Sequence, residues 1–266
     1  MAAFLVAPAV HLGLTSFWRT AYFQTTHAWN LQQYPEILTQ SGVWQTMVRS
    51  VWTGLVVAVV TTAAALPIAY YIRFRTGVRK VLVLAVVITA MFSSYLVRIY
   101  AWRTLMGRDG ALNWFLTTVG ISKHGFTFLF YNRFGVIITL VHIFLPFAVL
   151  VLLAALEGVY VDVLEASRAL GARGDQMVRW VVLPMIGRGL FAAFAFTFIL
   201  SAGDYVTPQL VGGTSGSMTG TFVMLEMTQL GDYSHGAALS LALLGTLVVL
   251  SACVYGAGRL VRAVGR

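Results

Sequence analysis

Four carboxylates (Glu157, Asp162, Glu165, Asp175) and four guanidiniums (Arg168, Arg173, Arg179, Arg188) crowd between Glu157 and Gly189. Charges of both signs at this density suit a docking surface. A second set is thinner. Tyr95, Arg98, Trp102 and Arg103 share one half of an apolar run, Asp204 and Tyr205 interrupt another, and Glu226 and Asp232 lie beyond it. Their chemistry is the passage of a small charged solute. Tyr205 and Trp102 could each add a cation–π contact of about 0.5–2 kcal/mol.

Each of these sites has a plainer reading. Tyr and Trp collect at headgroups, and Arg snorkels there. Arg98 lies about two turns inside its run, where an ionisable side chain usually faces a bundle interior or a water path. Asp204 is either a cavity-facing carboxylate or a helix-end residue near water. Glu226 and Asp232 read as solvated loop residues first and path residues second. His142, just before Pro146, reads as a packed histidine rather than a proton relay, because no acidic neighbour is near in sequence.

Several chemistries find no support. The five histidines are scattered, with no metal-ligand spacing, and Cys253 is the single cysteine. No phosphate-loop pattern occurs, and the Gly-rich stretch 211–217 has no Lys. The chain is expected to bind no cofactor and hydrolyse no ATP itself.

The elements that position these residues follow from hydropathy. The chain is 59% hydrophobic and 10% charged, with mean hydropathy +0.81. Soluble domains carry about 25% charged residues. An all-α integral membrane protein is expected, as one transmembrane domain, with six spans near 2–18, 44–72, 81–105, 133–156, 190–210 and 235–258. Eight charges cannot sit in hydrocarbon at a few kcal/mol each. Residues 157–189 are therefore a loop between two spans. Val159, Val163, Ala166 and Leu170 predict the apolar stripe of a short helix, and Gly171 its stop. A second helical piece starts near Asp175 and ends or kinks at Pro184. Residues 19–43, 106–132 and 211–233 read as outer loops, the middle one with a turn at 107–110 and a short helix over 111–119. The first span is at the short limit of about 17 residues.

Residues 73–80, 157–188 and 259–266 hold 11 of the 18 Lys and Arg. Basic residues gather on the cytoplasmic side. Both termini and the loop are expected inside, in a multi-pass plasma (inner) membrane protein. The net charge of +9 is thus explained without nucleic acid.

The loop resembles the EAA loop of ABC importer permease subunits. Glu165-Ala166-Ser167, Gly171 and Val181-Val182-Leu183-Pro184 keep that pattern's spacing, with Ser167 for Ala and Val181 for Ile. Other stretches resemble spermidine/putrescine-type permeases, nearest the B-type subunit. These are Tyr95 to Trp102, Phe144 to Phe147, Gly203 to Pro208 and Leu210 to Gly213. The short N-terminus departs from the family. The resemblance implies a type I (MetI-like) importer fold. It implies a second permease or a copy of this one, two ATPase subunits carrying ATP and Mg, and an extracytoplasmic binding protein. Asp162, Glu165, Ala166, Ser167, Arg168, Gly171, Leu183 and Pro184 would couple to the ATPase. Tyr95, Arg98, Trp102, Asp204, Tyr205 and Glu226 would line the path. A polyamine solute is implied, another small solute remaining open. An ion-coupled carrier would need buried coupling carboxylates on several helices, and an intramembrane enzyme would need paired catalytic residues, which the spans lack.

Overall fold

A computed structural model describes residues 2–264, apart from 22, 40, 76, 108 and 121–130. Lys123 and His124 of the middle outer loop lie outside the described residues, as do residues 265–266 and the side chains of the basic tail.

Backbone polar groups in hydrocarbon must be satisfied internally, so long apolar runs become helices. Three are long and apolar enough to cross a membrane alone. They are α3 (Ser41–Phe74), α7 (Arg133–Leu156) and most of α13 (Tyr233–Val264). With 34 residues, α3 runs about 50 Å and overshoots the hydrocarbon. Two further spans are broken. Helix α4 (Val78–Phe92) gives way at extended Ser93 to α5 (Tyr95–Met106). Residues Gly174–Met185 meet α11 (Gly187–Ala202) at a 75° bend. The sixth apolar helix, α1 (Ala2–Thr15), has 14 residues and stops short of the expected 2–18.

Four other expectations change. The run 81–105 is two helices, because adjacent Ser93 and Ser94 offer no apolar side chain to hold a straight span. The fifth span ends at Ala202 rather than 210. The outer loop 211–233 is largely helical: α12 (Thr219–Leu225) continues into a π turn at Glu226–Leu230. Residues 19–43 hold a hairpin, β1 (Arg19–Ala21) against β2 (Gln24–Thr26), and α2 (Gln33–Thr39). The short helix of the middle loop is α6 (Ala111–Thr118).

The described residues group into two compact units. One comprises Met1–Leu55, Arg103–Val136 and Ile199–Arg266. Its apolar centre joins Ile37, Val43 and Met47 to Ala238 and Leu239. Polar side chains supplement that packing, as membrane helices allow. Ser50 Oγ accepts from Thr219 N–H at 2.8 Å, and Thr20 and Ser234 share a hydroxyl bond at 2.6 Å. Gly54 lets α11 approach: a Cβ there would lie 2.6 Å from Ala202 Cβ.

The other unit comprises Val56–Trp102 and Ile137–Phe198. Its core runs from Ala65, Ala69 and Ile72 through Val149, Leu152 and Leu156 to Val159, Leu164, Met177 and Val182. The charged loop is therefore packed into this unit by its own apolar residues. Gly189 brings α11 against α7, its missing Cβ leaving room for Ala155 Cβ.

Candidate functional site

The loop begins at a helix end that needs donors. The last carbonyls of α7 have no intrahelical partner. Arg73, in the last turn of α3, supplies them. Its Nε donates to Leu156 O at 3.3 Å and its Nη2 to Val159 O at 3.4 Å. A cation there also suits the negative end of the α7 dipole. Glu157 lies 3.4 Å from Arg73 Nε but is 65% exposed, so its pairing adds little.

Helix α8 (Val161–Ala169) follows. The expected stripe of Val159, Val163, Ala166 and Leu170 is corrected here. The helix starts after Val159, and Leu164, 3% exposed, is the residue it buries. Val163, Ala166 and Leu170 face outward with Asp162, Glu165 and Arg168. Burying Leu164 with Val159 fixes the phase of the helix, which turns the smaller stripe away from the core. At the end of α8, Gly171 sits at φ +86°, a left-handed conformation that favours glycine. Its N–H donates to Arg168 O at 2.9 Å and Ala172 N–H to Ser167 O at 3.1 Å. Ser167 Oγ donates to Leu164 O within the same helix.

The second piece starts one residue before Asp175, as α9 (Gly174–Met177), and does not end at Pro184. A π turn, Val178–Val182, precedes α10 (Leu183–Met185). Leu183 N–H reaches back five residues to Val178 O. The wider turn accommodates the ring of Pro184 and its missing donor. The break falls at Ile186 instead. Glu165 with Ala166 and Ser167, and Gly171 with Leu183 and Pro184, thus occupy one folded hairpin of short helices.

The path residues fall into separate groups. On α5, Arg98 is only 8% exposed, and its Nη1 donates to Ile143 O at 3.1 Å. That carbonyl lies beside the turn of α7 that Pro146 disturbs, so Arg98 satisfies backbone rather than reaching headgroups. Its buried Nε has no partner among the described residues. One turn on, Trp102 Nε1 donates to His142 Nδ1 at 3.0 Å. His142 is the single polar side chain lining a cleft of about 430 Å³ between α3, α4 and α7. Tyr95 is half-buried at the start of α5.

In the other unit, Asp204 follows the end of α11. Its Oδ1 and Oδ2 accept from the N–H groups of Val206 (3.3 Å) and Thr207 (3.1 Å). It caps the next short helical segment, as a helix-end aspartate does. Tyr205 beside it is 45% exposed. Glu226 is not a solvated loop residue. Its Oε1 lies 3.3 Å from His235 Nδ1, with both side chains mostly covered. Asp232 accepts from His235 N–H at 2.9 Å, at the start of α13. Hydropathy missed Arg73 because its contacts are remote in sequence, and His235 because its partner Glu226 lies in a stretch read as a loop. Gly54 and Gly189 carried a signal, as glycines inside apolar runs.

Broken apolar helices and a folded charged hairpin on one chain fit a membrane permease subunit of an ABC importer. The chain belongs to the family of binding-protein-dependent transport system inner membrane components, matching it over residues 41–263. It is 34% identical over 206 residues to the inner membrane ABC transporter permease protein YdcU of Escherichia coli. That match covers 73% of this chain and 66%, just under two thirds, of YdcU. It is 29% identical to the spermidine/putrescine transport system permease protein PotB of Haemophilus influenzae, over 79% of this chain and 74% of that one. The fold matches a bacterial alginate ABC transporter in complex with its pentasaccharide-bound periplasmic protein, with TM-score 0.78 and 14% identity, over 97% of this chain and 89% of that one. It also matches the MetNI methionine ABC transporter, with TM-score 0.55 and 23% identity, over 86% of this chain and 100% of that one.

Proposed function

We propose that this chain is the B-type permease subunit of a polyamine importer. A spermidine- or putrescine-like solute is handed over by an extracytoplasmic binding protein. It passes between this subunit and a second permease, a paralogue or another copy, within membrane lipid. An ATPase dimer binds ATP and Mg, and one of its subunits docks on residues 157–189 from the cytoplasm, where both termini also lie. The likeness to PotB supports the polyamine solute, and the observation that carries the coupling role is the α8 hairpin. It is fastened to the core by Leu164 and closed by Gly171, while Val163, Glu165, Ala166 and Leu170 stay exposed. An exposed apolar stripe flanked by charge suits a protein partner better than water.

In this scheme Glu165 pairs with a basic residue of the ATPase. Ala166 and Ser167 keep the contact close, and Gly171 sets the angle to the second piece, which Leu183 and Pro184 complete. ATP favours one ATPase arrangement, and the docked helix transmits that preference to the spans. An ion-coupled carrier is disfavoured. Asp204 is committed to two amides and Glu226 to His235.

Uptake of radiolabelled spermidine by the assembly reconstituted with its partners tests the proposal. Glu165→Lys is expected to remain inserted and to lose ATP-dependent uptake. Wild-type uptake by that variant would remove the docking role. Transport of a different solute with no response to spermidine would remove the polyamine assignment alone.

A further inference from the structure

Helix α11 ends because its next donors are diverted. In a continuing helix, Val206 and Thr207 would donate to the carbonyls of Ala202 and Gly203. Both instead donate to the Asp204 carboxylate, and Pro208 has no N–H to offer. The side chain of Asp204 holds the break open. It is a positioning group there, with its two oxygens turned to amides.

The backbone of Gly203 and Asp204 passes close to Gly220. A Cβ on Gly220 would lie 3.1 Å from Gly203 O and 3.0 Å from both Asp204 O and Tyr205 Cβ. Only a residue without a side chain leaves this approach clear. Gly203, Tyr205 and Gly220 form one side of a cavity of about 260 Å³. Ile199, Val223, Leu243, Leu244 and Leu247 supply its aliphatic lining, and Ser240 adds a hydroxyl already donated to Gly236 O. The polar end therefore offers acceptors and an aromatic face, with no cation. The remainder offers only hydrocarbon. Unwound backbone inside a membrane bundle is tolerated where it lines a cavity, and such carbonyls coordinate cations in transporters.

We infer that this cavity receives the terminal primary ammonium of an alkylamine, held by Gly203 O and the face of Tyr205, with its methylenes along the aliphatic walls. Gly220 sets the room for that ammonium. The inference rests on the polyamine reading above and moves the cation contact from the Asp204 carboxylate to the backbone it exposes. At about 260 Å³ the space is below the about 300 Å³ at which drug-sized pockets begin, which favours a slim chain.

The test uses the full assembly in vesicles of phosphatidylcholine and phosphatidylglycerol, which carry no primary ammonium. Uptake of radiolabelled spermidine is compared for wild type, Tyr205→Phe, Tyr205→Leu and Gly220→Ala, each corrected for inserted protein. Loss of a cation–π contact is expected to lower uptake by Tyr205→Leu about 2- to 30-fold. Tyr205→Phe keeps the ring and is expected to lose less than Tyr205→Leu. Gly220→Ala loses at least as much as Tyr205→Leu. If it fails to insert, the Tyr205 pair decides. Wild-type uptake by Tyr205→Leu overturns the site and leaves the polyamine reading standing. Absence of spermidine uptake by the wild type, with another solute carried, overturns that reading and the site with it. Adding phosphatidylethanolamine separates the two sources of an alkylammonium. Inhibition of the wild type but not of Tyr205→Leu would assign the cavity to a lipid headgroup and overturn the soluble amine.

Discussion

Replacing Gly171 isolates the backbone from everything else at the hairpin. No atom lies within 4 Å of a Cβ built there, so a side chain meets no steric barrier. The cost of Gly171→Ala is then the left-handed conformation itself, about 1–2 kcal/mol for an L-residue. That is roughly a 5- to 30-fold shift from the closed helix end towards a frayed one. What frays are the bonds from Gly171 N–H to Arg168 O and from Ala172 N–H to Ser167 O, at the end of a nine-residue helix. Asn tolerates this region better and should retain more of the closed form. Asp has the same shape but adds a carboxylate at the C-terminal end of α8, unfavourable by about 0.3–1 kcal/mol. The expected order is Gly, Asn, then Asp and Ala. Solute carried per ATP hydrolysed reads coupling, and hydrogen exchange over 161–172 reads the helix end. Coupling and protection should fall together. Wild-type protection in Gly171→Ala, or Asn falling below Ala, would refute the argument.

Arg73→Leu removes both donors to the end of α7, each charged bond worth about 1.5–3 kcal/mol, and should raise hydrogen exchange over 156–164. Glu157→Gln should leave exchange unchanged, because an exposed pair contributes about 0–1 kcal/mol. Gly189→Ala drives a methyl into Ala155 Cβ and should lower Tm in detergent, at about 1–3 kcal/mol. Ala155→Gly in the same chain should restore part of the loss, and additive losses would disprove the contact. Arg98→Met should lower Tm by removing the donor to Ile143 O, with Arg98→Lys intermediate. Equal Tm for all three would show that the buried guanidinium does no structural work.

Most of the architecture was legible because hydrocarbon imposes one rule on every span. Long apolar runs with few interruptions must be helices, and α7 coincides with the expected 133–156. The loop was legible as a connector because eight charged side chains interrupt the apolar runs, and α8 and α9 do stand between α7 and α11. The phase of α8 was not. Two apolar faces compete on a helix of nine residues, and periodicity cannot weigh Leu164 against Val163 and Leu170. Only the core that receives Leu164 decides between them. The pairing of Glu226 with His235 was equally hidden, since it depends on a π turn that makes a presumed loop helical.

The breaks carry the largest lesson. Hydropathy carries the fifth span through Asp204 because the residues around it are apolar and the index averages over a window. A helix is continued donor by donor, however, and one side chain can take the donors away. Asp204 takes the N–H groups of Val206 and Thr207, and Pro208 removes the next. The stretch from Gly203 to Pro208 therefore encodes a stop within an apolar run. Ser93 and Ser94 stop α4 by a weaker route, with Ser93 extended at ψ 134° and no proline involved. If Asp204 acts as argued, Asp204→Asn should largely keep the break, because Asn still offers one acceptor. Asp204→Leu should let Val206 and Thr207 return to Ala202 and Gly203. Amide exchange at 206 and 207 would then slow in Asp204→Leu, and the cavity behind Gly220 would lose its carbonyl. Exchange in the leucine variant equal to or faster than in the wild type would mean that Pro208 alone ends the helix, and that the carboxylate has another task.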